Sequence, residues 1–269
     1  MSRRFLASVI LFAACCVPAF AANNFASKRS AVELPALAAP ARDPRVGEKL
    51  LYEVSWIGVP VGYGELWVKE KTVIHGREAY HVVATALTNE VLSKIYPVHD
   101  EIHSWIDAET LQSLQFQKTV SEGFYRADER VLFDASLKKG FYESLKNGTK
   151  KEFDIHVPVH DVISAFFWTR RQVFKPGDRL HTIVNNGEKD YDLHVDILSH
   201  EWKEIRGQGS ADLLKLEPKT ELKGVLERRG RVWIHLENTP ARVPILITFR
   251  TPFGPIVGVL RGRSDAVKV

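Results

Sequence analysis

The sequence predicts a mainly β protein, a large curved antiparallel sheet that forms a half-barrel or barrel with one buried helix near residues 161–174. Three observations lead there. Apolar residues recur at every second position in many short runs, which is the period of a strand with one wet face. Turn-forming residues fall between those runs. A single segment carries strong helix signals.

Taken in chain order, the first element is a targeting segment. Arg3 and Arg4 precede the uncharged run Phe5 to Ala22, and Ala19-Phe20-Ala21 supplies small residues at a cleavage site, the layout of a secretory signal peptide over residues 1–21. Cleavage after Ala21 leaves a chain that does not span the membrane. Pro18 and the many alanines argue against a retained anchor. A lipid-modified Cys15 is the lesser alternative, because Phe12 stands where such sites usually carry leucine. Cys15 and Cys16 are the only cysteines and both lie in this segment, so the mature chain enters an oxidising compartment without a thiol. Disulfides, thiolate catalysis and cysteine-bound metal are thereby excluded, and the periplasm is the expected location.

Residues 22–45 alternate Ala, Pro and single charges without periodicity and read as a flexible lead-in. A single β-rich domain is expected over residues 46–265. Its clearest strand runs are Leu50, Tyr52, Val54 and Trp56; Tyr80, Val82, Ala84 and Ala86; Tyr191, Leu193, Val195 and Ile197; and Ile245, Ile247 and Phe249. Between the runs lie turn signals such as His75-Gly76, Asn147-Gly148 and Pro176-Gly177-Asp178. Roughly a dozen strands in one sheet is the economical reading.

Asp161 caps the predicted helix, which runs through Val162, Ile163, Phe166, Phe167, Trp168 and Val173 and stops at Pro176-Gly177. Its apolar residues almost encircle the axis, so it belongs inside the protein. A weaker helix is expected from Asn89 to Tyr96, ended by Pro97. The six tryptophans are expected to be mostly core.

Charge and motif content exclude several functions. Without Arg3 and Arg4 the chain holds 35 basic and 33 acidic residues, too even a balance for a nucleic-acid binder. Basic clusters at Arg228, Arg229 and Arg231, and at Arg261, Arg263 and Lys268, are interleaved with Glu227 and Asp265 and read as solvated. There is no phosphate-cradling glycine loop, no Gly-x-Ser-x-Gly elbow and no Ser-x-x-Lys signature. His99-Asp100-Glu101-Ile102-His103 has the histidine spacing of a zinc-protease helix but lacks glutamate after the first histidine, and its flanks read as strand. On a strand His99, Glu101 and His103 share a face. A polar strand face explains them without a metal, and no metal or cofactor is expected. His156 and His160 have the same spacing but are interrupted by Pro158.

The residues also carry a resemblance. Gly47-Glu48-x-Leu50-x-Tyr52-x-Val54-x-Trp56 with Gly58 and Gly62, then Asp161-x-x-Ser164-x-Phe166-Phe167 with Arg170 and Gly177-Asp178, then Val232-Trp233-Ile234 with Arg242-x-Pro244 and Phe253-Gly254, together resemble the bacterial family called domain of unknown function 3108, over Val46 to Arg263. The resemblance implies exported proteins of Gram-negative-type bacteria, rich in antiparallel strands, and supplies no catalytic residues. It also implies an aspartate closing the Trp233 strand, where this chain has Glu237 and Asn238.

The expected function is a non-enzymatic periplasmic binding protein whose sheet shelters a lipid, glycolipid or other amphiphile. Phe166, Phe167 and Trp168 are the expected apolar lining and Arg170 a headgroup contact at the helix end. The alternatives are a structural module that binds an envelope protein partner and, behind it, a metal-dependent hydrolase of envelope polymers built on the concave face.

Overall fold

The computed structural model describes residues 43–220 and 230–264. The signal peptide, most of the lead-in, Cys15, Arg228, Arg229 and Lys268 therefore lie outside the described residues.

Fifteen strands form one sheet: β1 (Lys49–Trp56), β2 (Val59–Ile74), β3 (Arg77–Thr88), β4 (His99–Asp107), β5 (Ser113–Glu122), β6 (Tyr125–Asp134), β7 (Lys139–Ser144), β8 (Lys150–Asp154), β9 (Val159–His160), β10 (Arg179–Asn185), β11 (Asp190–Ile205), β12 (Gly209–Thr220), β13 (Arg231–Glu237), β14 (Pro244–Thr251) and β15 (Gly254–Ser264). Two helices interrupt them, α1 (Glu90–Ser93) and α2 (Val162–Arg171). The sheet order runs from β8 back to β1, then β15 back to β9, so the first and last strands meet in the middle, where β1 pairs with β15. Every described pairing is antiparallel except β9 with β10.

The sheet curls but does not close into a barrel. Its two edges, β8 and β9, are consecutive in the chain. Across the seam, Lys151 Nζ on β8 donates to both carboxylate oxygens of Glu188 at 2.8 and 2.9 Å, and the backbone N–H of His156 donates to Asp190 at 2.6 Å. After crossing this seam the chain turns inward as α2.

The helix forms as the sequence predicts and ends slightly sooner, at Arg171. Asp161 Oδ1 accepts from the backbone N–H groups of Ile163 and Ser164 at 2.7 and 2.9 Å, satisfying two donors that a helix start leaves open. Its Oδ2 accepts from the hydroxyls of Ser104 on β4 and Ser113 on β5, each at 2.6 Å. One fully buried carboxylate thus caps the helix and fastens it to two strands. The weaker helix is also present as α1, capped by Asn89 but only one turn long.

Both flanks of α2 are packed. Ile163 and Phe167 join a core with Val82, Ile102, Ile106 and Val131, whereas Ala165 joins a second core with Val195, Leu214 and Leu236. The two halves of the sheet therefore close on opposite sides of one helix. At its far end the Arg170 guanidinium, wholly buried, meets the equally buried Glu48 carboxylate just before β1, with Nη2 3.1 Å from Oε1 and Nη1 donating to Oε2 at 3.3 Å. Arg171 donates to the Glu109 carbonyl at 2.7 Å, and Arg242 donates to the Gln172 carbonyl at 2.5 Å while lying 3.6 Å over the Phe174 ring.

Strand direction sorts the turns onto two rims. The β1–β2, β3–β4, β5–β6, β7–β8, β10–β11 and β14–β15 connections share the upper rim, and the β2–β3, β4–β5, β6–β7, β11–β12 and β13–β14 connections share the lower. Glu48, Glu109 and Arg242 all belong to the lower rim, so the end of α2 is anchored there.

The expectation of a tryptophan-rich core is corrected. None of the six tryptophans is buried, and Trp202 is 71% exposed. Two lie on the outer face beneath cations, with Lys49 5.2 Å from the Trp67 ring and Arg231 4.9 Å from Trp233. An outward strand position lets the broad ring cover its neighbours while its N–H stays near water.

Breaking a buried ion pair strands one charge in the interior, whereas replacing both members by apolar residues removes the problem. Glu48→Leu or Arg170→Met alone should each cost roughly 3–5 kcal/mol in urea unfolding, and the double replacement should recover most of that loss. Additive losses would show that the pair is not coupled.

Candidate functional site

The lower half of the concavity is filled by α2 and its ties, and the upper half is not. Between the first turns of α2 and the inner faces of β1–β3 and β13–β15 lies a cavity of about 150 Å³. Val54, Leu66, Ile163, Phe166, Ile247 and Ile256 supply its apolar lining. Tyr52 borders it too, but its hydroxyl donates to the Pro244 carbonyl at 2.8 Å, and burial pushes the phenol far above its usual range. No charged group is held at the site by its lining side chains: Glu65 turns outward to Lys49, 3.0 Å away.

Small residues keep the space open. Gly64 on β2 and Ala84 and Ala86 on β3 line one side, and Gly258 on β15 the other. Neither glycine has a left-handed backbone, and an added methyl would find its nearest neighbour at 3.7 Å for Gly64 and 4.0 Å for Gly258. Chain geometry does not require glycine at either position. In a strand interior, glycine without a backbone reason marks a place where something else must approach.

The four residues singled out from sequence divide. Phe166 lines the cavity. Phe167 packs edge-on against it, with ring centroids 5.1 Å apart, but is wholly buried in the core. Trp168 packs on that same core and tilts over His160 at 5.7 Å. Arg170 is enclosed between Glu48 and the rings of Phe166 and Phe167, whose centroids lie 5.6 and 5.2 Å away. Its guanidinium faces a protein carboxylate rather than solvent.

The histidine-rich strand is half as expected. His103 Nε2 lies 2.5 Å from Glu101 Oε1, but on the convex face, and His99 stands exposed beyond them. The partners that sequence spacing missed come from neighbouring strands: His81 Nε2 is 2.8 Å from His103 Nδ1, and His81 Nδ1 is 3.2 Å from Glu70 Oε1. Carboxylates only accept, so each ring's outer nitrogen is the donor to its carboxylate. Burial pushes His81 down, toward neutrality. Trp105 stacks on His81 at 4.6 Å. A metal-dependent hydrolase on the concave face finds no support in this cluster, and no group of three or more His, Cys, Asp or Glu among the described residues is arranged to hold a metal ion. His156 pairs with Asp190, whereas His160 is buried and donates from Nδ1 to the Leu111 carbonyl at 3.0 Å; burial pushes it down to about 4.

The concave face does carry a carboxyl pair, Asp100 on β4 and Glu122 at the end of β5, both buried, with Asp100 Oδ1 accepting from the Ser121 N–H at 2.8 Å. Burial first, then the neighbouring Asp100 charge, pushes Glu122 up to about 8. Nearby, an open groove of about 460 Å³ is lined by Tyr125, Glu129, Tyr142, Lys151 and Glu188. Of its charged residues, Lys151 pairs with Glu188 and Glu129 with Lys118 at 2.9 Å, while Arg126 and Lys146 donate to backbone carbonyls. The basic clusters are likewise engaged where they are described, Arg231 with Glu217, Arg261 with Glu53 and Arg263 with Glu237.

An open, curled antiparallel sheet around one helix, with a small apolar cavity, defines a β-barrel-like domain. The chain belongs to the family described as "Protein of unknown function (DUF3108)", whose model matches residues 51–261. No curated protein matches. Among solved structures, the chain is similar to a β-barrel-like protein of domain of unknown function DUF1849 from Brucella abortus, at 7% identity and a TM-score of 0.53, over 84% of this chain and 100% of that one. It is more distantly similar to the hypothetical protein CT021 from Chlamydia trachomatis, at 9% identity and a TM-score of 0.37, over 84% of this chain and 90% of that one.

Glu122 has a higher pKa folded than its ordinary 4.5, so the folded state holds a proton that the unfolded chain has released. Stability should therefore decline as pH rises between those limits and level off above about 8. Urea midpoints measured from about pH 5 to about pH 9 should fall less in Glu122→Gln than in the wild type. Parallel declines would place the pH dependence elsewhere.

Proposed function

We propose that the mature chain is an exported, periplasmic, non-enzymatic binding protein that shelters the apolar end of a lipid or other amphiphile. The carrying observation is the apolar cavity beside Phe166, kept open by glycine and alanine where larger residues would fit. Phe167, Trp168 and Arg170 support this reading indirectly, by fixing the helix that presents Phe166.

Magnitudes limit the occupant. A cavity of about 150 Å³ with aliphatic and aromatic walls stays dry and takes a benzene-sized guest in an engineered protein unrelated to this one. About six carbons therefore fit, and at roughly 0.8 kcal/mol for each buried methylene they contribute at most about 5 kcal/mol. That corresponds to a Kd on the order of 0.1 mM from the cavity alone. The guest is the terminus of an acyl chain, and the remainder of the molecule lies outside.

The test uses dansyl-undecanoate and purified mature protein. Wild type should give a saturable rise in dansyl emission that decanoate reverses, while Ala84→Phe, which fills the cavity, should weaken binding at least about tenfold. A urea midpoint close to wild type establishes that the variant folds. Equal binding by wild type and a folded Ala84→Phe would remove the cavity from the account.

A further inference from the structure

The upper rim carries exposed apolar side chains on four separate connections. Ile57 and Val59 stand at the β1–β2 turn, Val91 and Ile95 on and after α1, Phe124 at the β5–β6 turn and Phe253 at the β14–β15 turn. Ile95 is 80% exposed and Phe124 completely so. The lower rim has Val73, Leu137 and, near the end of β11, Trp202 at comparable exposure, half the number at the upper rim. Isolated surface apolar residues need no explanation, but a set on neighbouring tips of one rim does.

Folding does not account for these residues. Ile57 has a φ of 49°, a conformation that a β-branched residue adopts reluctantly and glycine or asparagine adopts easily. Its backbone N–H is tied to the Pro255 carbonyl at 2.9 Å, yet its side chain remains mostly in water. Phe124 follows Gly123 at a tip where a polar residue would serve equally as a turn.

Among the described residues, the exposed charge around these tips is mainly positive. Lys94, Arg126, Lys146 and Arg250 are exposed at the upper rim, against Glu90, while Glu188 is occupied by Lys151. Arg126 is held at its tip by donating to the Gly123 and Tyr125 carbonyls at 2.8 and 2.7 Å. Behind the rim, Val54, Val61, Val232, Phe249 and Ile256 form an apolar layer that Val54 and Ile256 share with the cavity wall.

We propose that the upper rim docks on an anionic lipid bilayer, its apolar tips entering the headgroup region and its basic residues meeting lipid phosphates. Separate anchors on neighbouring tips suit a fluid partner, since a folded protein partner would need one continuous complementary patch. Apolar insertion combined with basic residues is the pairing that holds peripheral proteins to acidic membranes. The proposal extends the amphiphile reading by naming where the acyl chain comes from, but its geometry is independent of the cavity.

The experiment is flotation of the mature protein with vesicles of phosphatidylethanolamine containing about one quarter phosphatidylglycerol. Wild type should float with them and be released in part by about 0.5 M sodium chloride. Ile95→Ser/Phe124→Ser/Phe253→Ser should lower the bound fraction at least about tenfold, while Val73→Ser/Leu137→Ser on the lower rim should float as wild type does. Ala84→Phe should also float, so loss of acyl binding and loss of docking are read separately. Absence of wild-type flotation, or flotation indifferent to the upper-rim variant, overturns the proposal. A dimer in sedimentation that the upper-rim variant dissolves, without flotation, assigns the rim to a second copy and overturns it as well.

Discussion

A helix whose first turn is buried in a curled sheet must have the open N–H groups there satisfied by protein, because water does not reach them. In this chain a carboxylate does so, side-chain donors from Gln172 and Arg242 meet carbonyls at the half-buried far end, and a second carboxylate neutralises the buried cation beside it. Asp161 accepts four hydrogen bonds at the start of α2, two from the helix and two from serines on β4 and β5. Glu48 neutralises Arg170 near the other end, and it lies next to β1, the strand on which both halves of the meander converge. A lone ion in that position would cost several kcal/mol, so the pair locks helix position to sheet position. The open seam depends on the same lock. Edges that are not hydrogen-bonded to each other stay together because both halves of the sheet bury apolar residues against one helix, with Lys151–Glu188 as a latch at the surface.

The same anchoring explains why the interior is uneven. Ties to Glu48, Glu109 and Arg242 draw the end of α2 toward the lower rim, leaving the upper half of the concavity to side chains from the sheet alone. Where β1 to β3 face β13 to β15, those side chains include Gly64, Ala84, Ala86 and Gly258, too small to meet in the middle. Toward β5 the interior is instead closed by paired polar groups, Asp100 with Glu122 and Lys118 with Glu129. One concave surface thus contains a filled half, an apolar void and a charge-matched flank.

Much of this fold was legible in sequence because strand alternation and a capped helix are local signals. The runs at Leu50 to Trp56 and Tyr191 to Ile197 became β1 and part of β11, and Asp161 and Asn89 became the two helix caps. Arg170 was misleading for an equally local reason. A cation in the last turn of a helix reads as solvent-facing, and only the return of the chain past Glu48, 122 residues away, shows it buried. His103 had the same difficulty, since its main partner His81 sits on the adjacent strand with no sequence spacing to announce it. The tryptophans misled by composition, because ring size alone does not say which strand face they occupy. Gly64 and Gly258 carry no local signal of their role, which depends on both lining one void.

Cavity size and rim chemistry constrain each other. A void that accepts about six carbons cannot enclose a membrane lipid, so a bound acyl chain must leave most of its length outside. Drawing that exposed length out of a membrane into water would cost roughly 0.8 kcal/mol for every methylene, and moving the enclosed end from membrane to cavity returns little against it. The exposed segment therefore needs an apolar setting of its own. The apolar layer from Val54 to Phe249 leads from the cavity toward the tips of the upper rim, and a bilayer against those tips would supply that setting. Under this constraint the protein holds the end of a chain whose body remains in the membrane, and a cavity larger than the one observed would be needed for a carrier that takes a lipid through water.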